Sequence, residues 1–313
     1  MKNYSDTGLN PLPHMRPSIR ISPFVPREWE KLLESKVSAA SRTTDRPSFW
    51  LDNAHDLKFY ASGRSALLAC LKHLKLKRSD TVVIVKTTDG PYVSSCVTDT
   101  IEKVCRWDIQ SQKSKVKGQR IKLILVIHEF GFPCPEWKIA PFKKKGIPIL
   151  EDCAYAFGSR VAGSKAGTFG DYALYSLPKY FPVPFGGILA ARSAIKHSKL
   201  ELKTADENLL RQTIHASYPH LHRWNKLRRE NWNRFNYDLA PKGFAPYFPL
   251  TENIVPGVYV TGVSKKFKGE QVKRQLTGAG VESTQYYNQG GFYFPAHQFL
   301  TIWEKEYIVR NFV

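Results

Sequence analysis

The sequence predicts an α/β protein in which a mostly parallel sheet lies between helices, with a small α+β unit near the C-terminal end. Two stretches, 81–85 and 121–127, are apolar on both faces, as strands of a covered parallel sheet must be. Helical patterns alternate with such strands, as parallel crossovers require. Beyond Pro241 the elements become short and mixed, which indicates the small unit.

Length and composition are typical of a globular protein with a full core. The chain has 313 residues, 42% of them hydrophobic, which is enough for one large domain and a smaller companion. The first residues lack the apolar core of a signal peptide, and uninterrupted apolar runs such as 123–127 are far shorter than the roughly 18 residues of a membrane-spanning helix. We therefore expect a soluble, cytoplasmic protein without a transmembrane segment. Five scattered cysteines without a C-x-x-C pair predict reduced thiols rather than zinc or disulfides.

The net charge of +20 comes from 47 basic and 27 acidic residues. Such a surplus attracts polyanions, among them nucleic acid, anionic membrane and phosphate-bearing metabolites, without choosing among them. The run of three lysines at 143–145 is typical of a solvated helix end that complements the helix dipole. We expect no specific nucleic-acid partner, because no nucleic-acid motif accompanies the charge.

Three segments are predicted along the chain. Residues 1–45 form an irregular, proline-rich N-terminal arm with one short helix near 28–36. Residues 46–214 form the large cofactor-binding domain. Residues 215–313 contain a long helix, 215–239, and then the small C-terminal domain.

A candidate anion site lies at the start of the large domain. A short strand over 57–61 leads through Ser62 and Gly63 into a helix whose leucines recur at helical spacing. The free amides at that helix start, on the positive end of the dipole, would bind a phosphate well. The alternative is that Ser62 simply caps the helix.

The next part of the chain continues the alternation of strand and helix. The strand at 81–85 is followed by a helix at 93–104, with Tyr92 between them. Polar residues at 108–119 predict a surface loop before the next strand. His128 ends that strand, either beside a site or as a hydrogen-bonded structural histidine.

The segment 149–192 has the features of a cofactor site. One apolar strand ends in Glu151-Asp152, and a second ends in Ser176, three residues before Lys179. Because ligands gather beyond the carboxyl ends of parallel strands, Asp152 and Ser176 are expected beside a cofactor. Lys179 follows in an apolar, proline-rich turn, where a partly desolvated amine can be uncharged and nucleophilic.

Three histidines at the start of the long helix do not predict a metal site. His215, His220 and His222 lack the H-x-x-x-H spacing that places two imidazoles on one helix face. No nearby carboxylate completes a set of ligands, so we expect no metal.

The sequence resembles the DegT/StrS-type family of nucleotide-sugar aminotransferases, as a short and divergent member. The best matches are I-L-E-D-C-A-Y-A, G-T-F-G-D-Y-A-L-Y-S-L, the lysine that follows and a Gly-Gly pair. S-G-R-S-A-L, H-E-F-G, G-V-E-S-T and P-A-H extend the resemblance over about 57–308. It implies the PLP type I aminotransferase fold, pyridoxal 5'-phosphate (PLP) as cofactor, and a homodimer with sites at its interface.

The resemblance also implies roles for individual residues. Lys179 would attach the cofactor covalently and then move a proton as a base, while Asp152 would hold the ring nitrogen. Tyr92 would stack on the ring, Tyr155 would replace a glutamine near the ring hydroxyl, and Ser176 would join the start of the first helix at the phosphate. The residues expected at the cofactor are Gly63, Arg64, Ser65, Tyr92, Asp152, Tyr155, Ser176 and Lys179.

The chain departs from the family pattern in three places. Ser176 and Lys179 are two residues closer than in the family, and Tyr155 stands where the family has glutamine. The N-x-R segment that follows the Gly-Gly pair has no clear copy, since 206–212 matches it poorly.

The function implied by the resemblance is amination of a nucleotide-linked keto sugar, with glutamate as the donor, for a surface polysaccharide such as O-antigen. Two alternatives stay open. A PLP-dependent sugar dehydratase on the same scaffold would carry histidine at the lysine position, so Lys179 argues against it. A degenerate, non-catalytic relative would bind a polyanion or a protein partner through the +20 surface.

Overall fold

The computed structural model describes residues 18–34, 54–110, 120–161, 163–196, 200–262, 269–286 and 290–312. Most of the predicted N-terminal arm therefore lies outside the described residues. The predicted division of the chain after residues 45 and 214 stays a prediction.

Up to residue 152, most consecutive strands of the described chain are separated by a helix. The helices are α1 (Pro26–Glu34), α2 (Gly63–His73), α3 (Ser95–Glu102), α4 (Glu136–Lys143), α5 (Thr204–Ser217), α6 (Leu221–Leu239), α7 (Gly269–Gly278) and α8 (Ile302–Arg310). None of these described helices has the length and apolar character needed to cross a membrane. The strands are β1 (Asp56–Tyr60), β2 (Thr81–Lys86), β3 (Arg106–Ile109), β4 (Ile121–Ile127), β5 (Ile149–Asp152), β6 (Arg160–Val161), β7 (Ser164–Lys165), β8 (Tyr172–Ser176), β9 (Gly187–Ala191), β10 (Val258–Gly262), β11 (Thr284–Tyr286) and β12 (Gly291–Pro295).

The main sheet has seven strands in the order β1-β9-β8-β5-β4-β2-β3. The five strands from β3 to β8 are parallel, whereas β9 runs antiparallel to both β8 and β1. Antiparallel neighbours need only a short connection, and β8 joins β9 through the ten-residue turn that contains Lys179. The prediction of a mostly parallel sheet is confirmed.

Both faces of this sheet are covered, as the apolar strands predicted. Val82 and Ile84 of β2 pack in one cluster with α2, and Val83 and Val85 pack in another with α4. Successive side chains of a strand point to opposite faces, so one apolar strand serves both clusters. The polar last residue of β2, Lys86, lies at the edge of the sheet where the parallel strands end.

The C-terminal part forms a second, three-stranded sheet in the order β10-β12-β11. Helix α6 packs its aromatic face on this sheet: Trp232 lies 5.4 Å from Tyr259, and Phe235 lies 5.0 Å from Phe294, measured between ring centroids. These contacts account for the aromatic residues that recur at helical spacing in α6.

Two element predictions were incomplete, and one helix was missed. The predicted helix at 215–239 contains the end of α5 and all of α6, which a 3-10 turn at Tyr218–His220 separates. Pro219 lies in that turn, and its missing amide interrupts regular helical hydrogen bonding. The predicted loop at 108–119 begins too early, since β3 continues to Ile109 as a polar edge strand beside β2. Helix α8 was not predicted, although Thr301 and Glu304 form a capping box at its start.

A close approach of two backbones makes Gly187 sensitive to substitution. A Cβ atom at this first residue of β9 would lie 2.3 Å from the carbonyl carbon and oxygen of Ser62. We expect Gly187→Ala to lower the free energy of unfolding by about 3 kcal/mol, because backbone atoms must move to relieve the clash. Denaturant titration measures this change.

Gly262→Ala is the matched control, because the nearest atom to its added Cβ lies 4.0 Å away. Its free energy of unfolding is expected to change by less than about 1 kcal/mol. Equal losses in the two variants would contradict the close approach at Ser62.

Candidate active site

A cavity of about 450 Å³ opens where the parallel strands of the main sheet end. Its walls include the ends of β2, β4, β5 and β8, the starts of α2 and α3, and one residue of β12. Seven of the eight residues predicted at the cofactor line it: Gly63, Arg64, Tyr92, Asp152, Tyr155, Ser176 and Lys179. Ser65 is the exception: it is not among the lining residues, and its amide donates to the Ser62 hydroxyl.

Lys179 projects into this cavity from a 3-10 turn, Leu177–Lys179, that begins directly after β8. Its amine Nζ donates a hydrogen bond to the hydroxyl oxygen of Tyr155 at 2.8 Å and lies 4.7 Å from the centre of the Tyr155 ring. Burial lowers the pKa of Lys179, but Tyr155, together with Glu282 and Cys96, raises it, so the pKa lies above its ordinary value. That a partly desolvated amine at this position can be uncharged and nucleophilic stays a prediction.

Asp152 ends β5 beside the cavity and is only 7% exposed. Its Oδ1 accepts a hydrogen bond from the amide of Ala154 at 2.9 Å. Burial raises the pKa of Asp152, while the Ala154 amide and His128 oppose the rise. No lysine or arginine in the described part of the chain forms an ion pair with it. A cation bound beside Asp152 would therefore stabilise the ionised form of its carboxyl group.

The start of α2 lies against the end of β8 and the start of β9. The Ser62 hydroxyl accepts the Ser65 amide at 3.2 Å and lies 3.1 Å from the Ser65 hydroxyl, so Ser62 does cap the helix. A Cβ at Gly63 would lie 3.3 Å from the Ser176 Cβ, which brings the helix start to the strand end. The amides of Gly63 and Arg64 precede the first helical hydrogen bonds and are donors for an anion.

Aromatic side chains line the side of the cavity nearest the small sheet. Tyr92 contacts Tyr286 edge to face, with 5.2 Å between ring centroids. Phe130 lies 6.0 Å from Tyr155 and 4.8 Å from Tyr293, again between centroids. These rings give the cavity flat apolar surfaces.

His128 lines the cavity, and both nitrogens of its ring are hydrogen-bonded within the protein. Its Nδ1 accepts the amide of Cys134 at 2.9 Å, so the Nε2 proton is donated to Glu151 at 2.9 Å. Glu151 also accepts three amides from the turn at 167–170, and although burial opposes this, the partners hold its pKa below the ordinary value. Glu151, His128 and Cys153 have ligand atoms within 4.8 Å of one another, but the histidine and carboxylate lone pairs are engaged in these bonds. Nothing in this cluster favours a metal site.

Sequence reasoning missed a buried ion pair in the wall. Lys86 at the end of β2 donates to Glu129 Oε1 at 3.0 Å, and both side chains are almost inaccessible. The Tyr286 hydroxyl also donates to Glu129 Oε1, at 2.5 Å, and Thr88 donates to Oε2 through its amide and hydroxyl. Burial lowers the pKa of Lys86, and Glu129 opposes that change. No spacing in the sequence relates these residues, since Tyr286 is 157 positions from Glu129.

We expect Lys86→Met to lower the free energy of unfolding by about 3 kcal/mol or more, because Glu129 would remain buried without its cation. The double variant Lys86→Met/Glu129→Leu should recover much of this loss. Denaturant titration measures both.

Lys31→Met provides the control for loss of a lysine ion pair. Lys31 pairs with Glu28 at 2.8 Å on the surface of α1, where its side chain is 56% exposed. Its removal should change the free energy of unfolding by less than about 1 kcal/mol. A Lys86 variant that behaves like this control would contradict the buried pair.

Comparison with known proteins agrees with this geometry. The model of the DegT/DnrJ/EryC1/StrS aminotransferase family matches residues 53–193. UDP-N-acetyl-3-dehydro-alpha-D-glucosamine 3-aminotransferase of Acidithiobacillus ferrooxidans is 25% identical over 271 residues, which are 76% of this chain and 70% of that protein. GDP-perosamine synthase of Escherichia coli O157:H7 is 27% identical over 128 residues, or 37% of this chain. The chain matches only 34% of the length of that synthase.

Among solved structures, Spr1654 of Streptococcus pneumoniae in its PLP form has a similar fold. Its TM-score is 0.68 at 14% identity, covering 92% of this chain and 96% of that one. The fold is thus that of the PLP type I aminotransferases, as predicted. Most of the residues that line the cavity at the strand ends fall within 53–193, the part of this chain that matches the model of the DegT/DnrJ/EryC1/StrS aminotransferase family.

Proposed function

We propose that this protein is a PLP-dependent aminotransferase that converts a nucleotide-linked keto sugar to an amino sugar. The observation that carries the proposal is the convergence of Lys179, Asp152 and the start of α2 on one cavity. A reactive amine, a carboxylate and an anion site are the three groups that PLP needs from a protein. The named aminotransferases among the relatives support the same activity.

The residues present fit PLP. The Asp152 carboxyl has a raised pKa and no described lysine or arginine partner, so a protonated ring nitrogen would supply the cation that it lacks. The Gly63 and Arg64 amides, with the Ser176 hydroxyl and the Arg64 cation, would hold the phosphate. Tyr92 and Tyr155 would contact the ring, the former as a stacking face.

When bound, PLP supplies an electron-accepting ring that makes the substrate carbon beside the amino group acidic. Lys179 would provide the covalent attachment and later hold or deliver the proton at Nζ. Its raised pKa means that the amine must give up a proton before it can act as a nucleophile or base. Tyr155, 2.8 Å from Nζ, is placed to orient that amine.

The proposal also covers the amino donor, the assembly, the location and the destination of the product. We propose glutamate as the amino donor, a homodimer as the assembly, the cytoplasm as the location and a surface polysaccharide such as O-antigen as the destination of the product. The relatives named for GDP- and UDP-linked sugars support a nucleotide-sugar substrate. The phosphates of such a substrate suit a chain of net charge +20.

The alternatives are not favoured. A dehydratase of the same fold would have histidine where Lys179 stands. A non-catalytic relative would have no need of Lys179, Asp152 and the α2 start around one cavity. Ser176 and Lys179 are closer in sequence than in the family pattern, but both residues still line the same cavity.

Absorbance of the purified protein during PLP addition tests the proposal. We expect a band near the edge of the visible range, and borohydride reduction followed by peptide mapping should place the trapped cofactor on Lys179. Screening nucleotide-linked keto sugars with glutamate would then identify the substrate. A protein that gains no such band at any pH would overturn the proposal.

A further inference from the structure

Arg228 of α6 is a buried cation for which the described residues provide no carboxylate partner. The residue is 1% exposed. Its Nε donates to Gln298 Oε1 at 2.7 Å, and its guanidinium carbon lies 4.6 Å from the centre of the Tyr180 ring. Burial lowers the pKa of Arg228 to about 10, against the opposing effects of Tyr180 and Tyr155, so it is charged at neutral pH. Burying such a charge without an anion is costly, and an apolar side chain would avoid the cost.

The buried guanidinium contacts the backbone of residues 177–186, the turn between β8 and β9 that contains Lys179 and is called the lysine turn below. Three consecutive carbonyl groups of that turn each accept a hydrogen bond from a side chain of a distant segment. The donors come from the stretch before α1, from α6 and from the stretch after β12. The pairs are Ser22 Oγ to Pro178 O at 2.8 Å, Arg228 Nη2 to Lys179 O at 2.9 Å and Gln298 Nε2 to Tyr180 O at 2.9 Å.

We propose that Arg228 is a positioning residue for Lys179, an inference that rests on the proposed role of Lys179. The guanidinium holds the Lys179 carbonyl directly and orients Gln298, which holds the next carbonyl. The planar fork of arginine reaches both acceptors at once, which neither lysine nor an apolar side chain can do. The turn is thereby fixed so that the amine of Lys179 reaches Tyr155 at the cavity wall.

Arg228→Lys tests this role, because it keeps a cation and removes the fork. The first readout is the pH profile with which an amine-reactive reagent labels Lys179 in the cofactor-free protein, followed by peptide mass. The groups that raise the pKa of the Lys179 amine are Tyr155, Glu282 and Cys96. If the turn loosens, the amine leaves Tyr155 and the profile should move toward the ordinary lysine range, with labelling at neutral pH about tenfold faster. Hydrogen exchange of the turn amides should accelerate by a similar factor.

Leu239→Ala is the control, because Leu239 is fully buried on the same helix but belongs to the cluster around the small sheet. It should destabilise the protein without changing the Lys179 profile or exchange in the turn. An unchanged profile in Arg228→Lys, or the same change in Leu239→Ala, would overturn the proposal. If Arg228→Lys does not fold, Gln298→Met removes the second anchor while leaving the arginine, and the same two outcomes apply.

The same protein samples separate this inference from the proposed function. Labelling and exchange are measured without PLP, so they report on the anchor whatever the cofactor does. A wild-type protein that takes up no PLP would overturn the proposed function alone. Slower PLP uptake by Arg228→Lys, with normal uptake by Leu239→Ala, is the result expected if both hold.

Discussion

Replacing Lys179 with alanine is expected to abolish covalent trapping of PLP and to lower kcat/KM for the sugar substrate by about 10³-fold or more. The change removes both the amine that attaches the cofactor and the base that moves the proton, and general acid–base groups alone contribute on the order of 10²–10⁴-fold. Borohydride trapping with peptide mapping and steady-state kinetics measure the two effects. Noncovalent PLP binding should persist, since the start of α2 is unchanged.

Lys144→Ala is the matched control for this prediction. Lys144 is exposed at the end of α4, away from the cavity wall. It should trap PLP and turn over as the wild type does. Lys86 is the other lysine that lines the cavity. A wild-type peptide map that places the cofactor on Lys86 would contradict the assignment of Lys179 as the residue that binds PLP covalently.

Replacing Asp152 with asparagine is expected to lower kcat/KM by about 10²-fold or more while leaving PLP trapping on Lys179 possible. The amide keeps the shape of the side chain but cannot carry the negative charge that a protonated ring nitrogen requires. Asp99→Asn, on the exposed face of α3, is the control and should retain full activity. An active Asp152→Asn enzyme would show that the charge of Asp152 is not needed.

Asp152→Asn lowers activity, but it should not lower the free energy of unfolding. The pKa of Asp152 is raised by folding, so the folded protein binds this proton more tightly than the unfolded chain does. Stability contributed by the carboxyl is therefore present at low pH and is lost as the pH rises through the folded pKa. Without PLP, Asp152→Asn should be at least as stable as the wild type at neutral pH, and the difference should vanish in acid. Denaturant titration across pH would contradict this if the variant were less stable at neutral pH.

The network around Glu129 shows why part of the cavity could not be predicted. Lys86, Thr88 and Tyr286 reach Glu129 from the end of β2, the turn after it and β11. Each is unremarkable in the sequence as a lysine, a threonine or a tyrosine near the end of an element. Only the packing of the small sheet against the end of the large one brings them together.

The direction of the pKa shift of Lys179 could not be predicted from the sequence either. Its apolar, proline-rich neighbourhood correctly indicated burial, which favours the neutral amine. The rise in the pKa comes from Tyr155, 24 residues earlier, whose hydroxyl lies 2.8 Å from Nζ, and from Glu282 and Cys96. The competition between desolvation and these neighbours depends on distances, and the sequence contains no distances.

The sequence by itself determined the alternating order of strands and helices, the apolar faces of the parallel strands, and the placement of Asp152, Ser176 and Lys179 near strand ends. These follow from local periodicity and from the rule that carboxyl ends of parallel strands share one edge. Only the tertiary structure decided which strands run antiparallel, which groups set the pKa values in the cavity, and that Arg228 holds the lysine turn from 49 residues away. Strand direction and buried polar contacts depend on how distant segments pack, and a periodic pattern constrains only residues that are close along the chain.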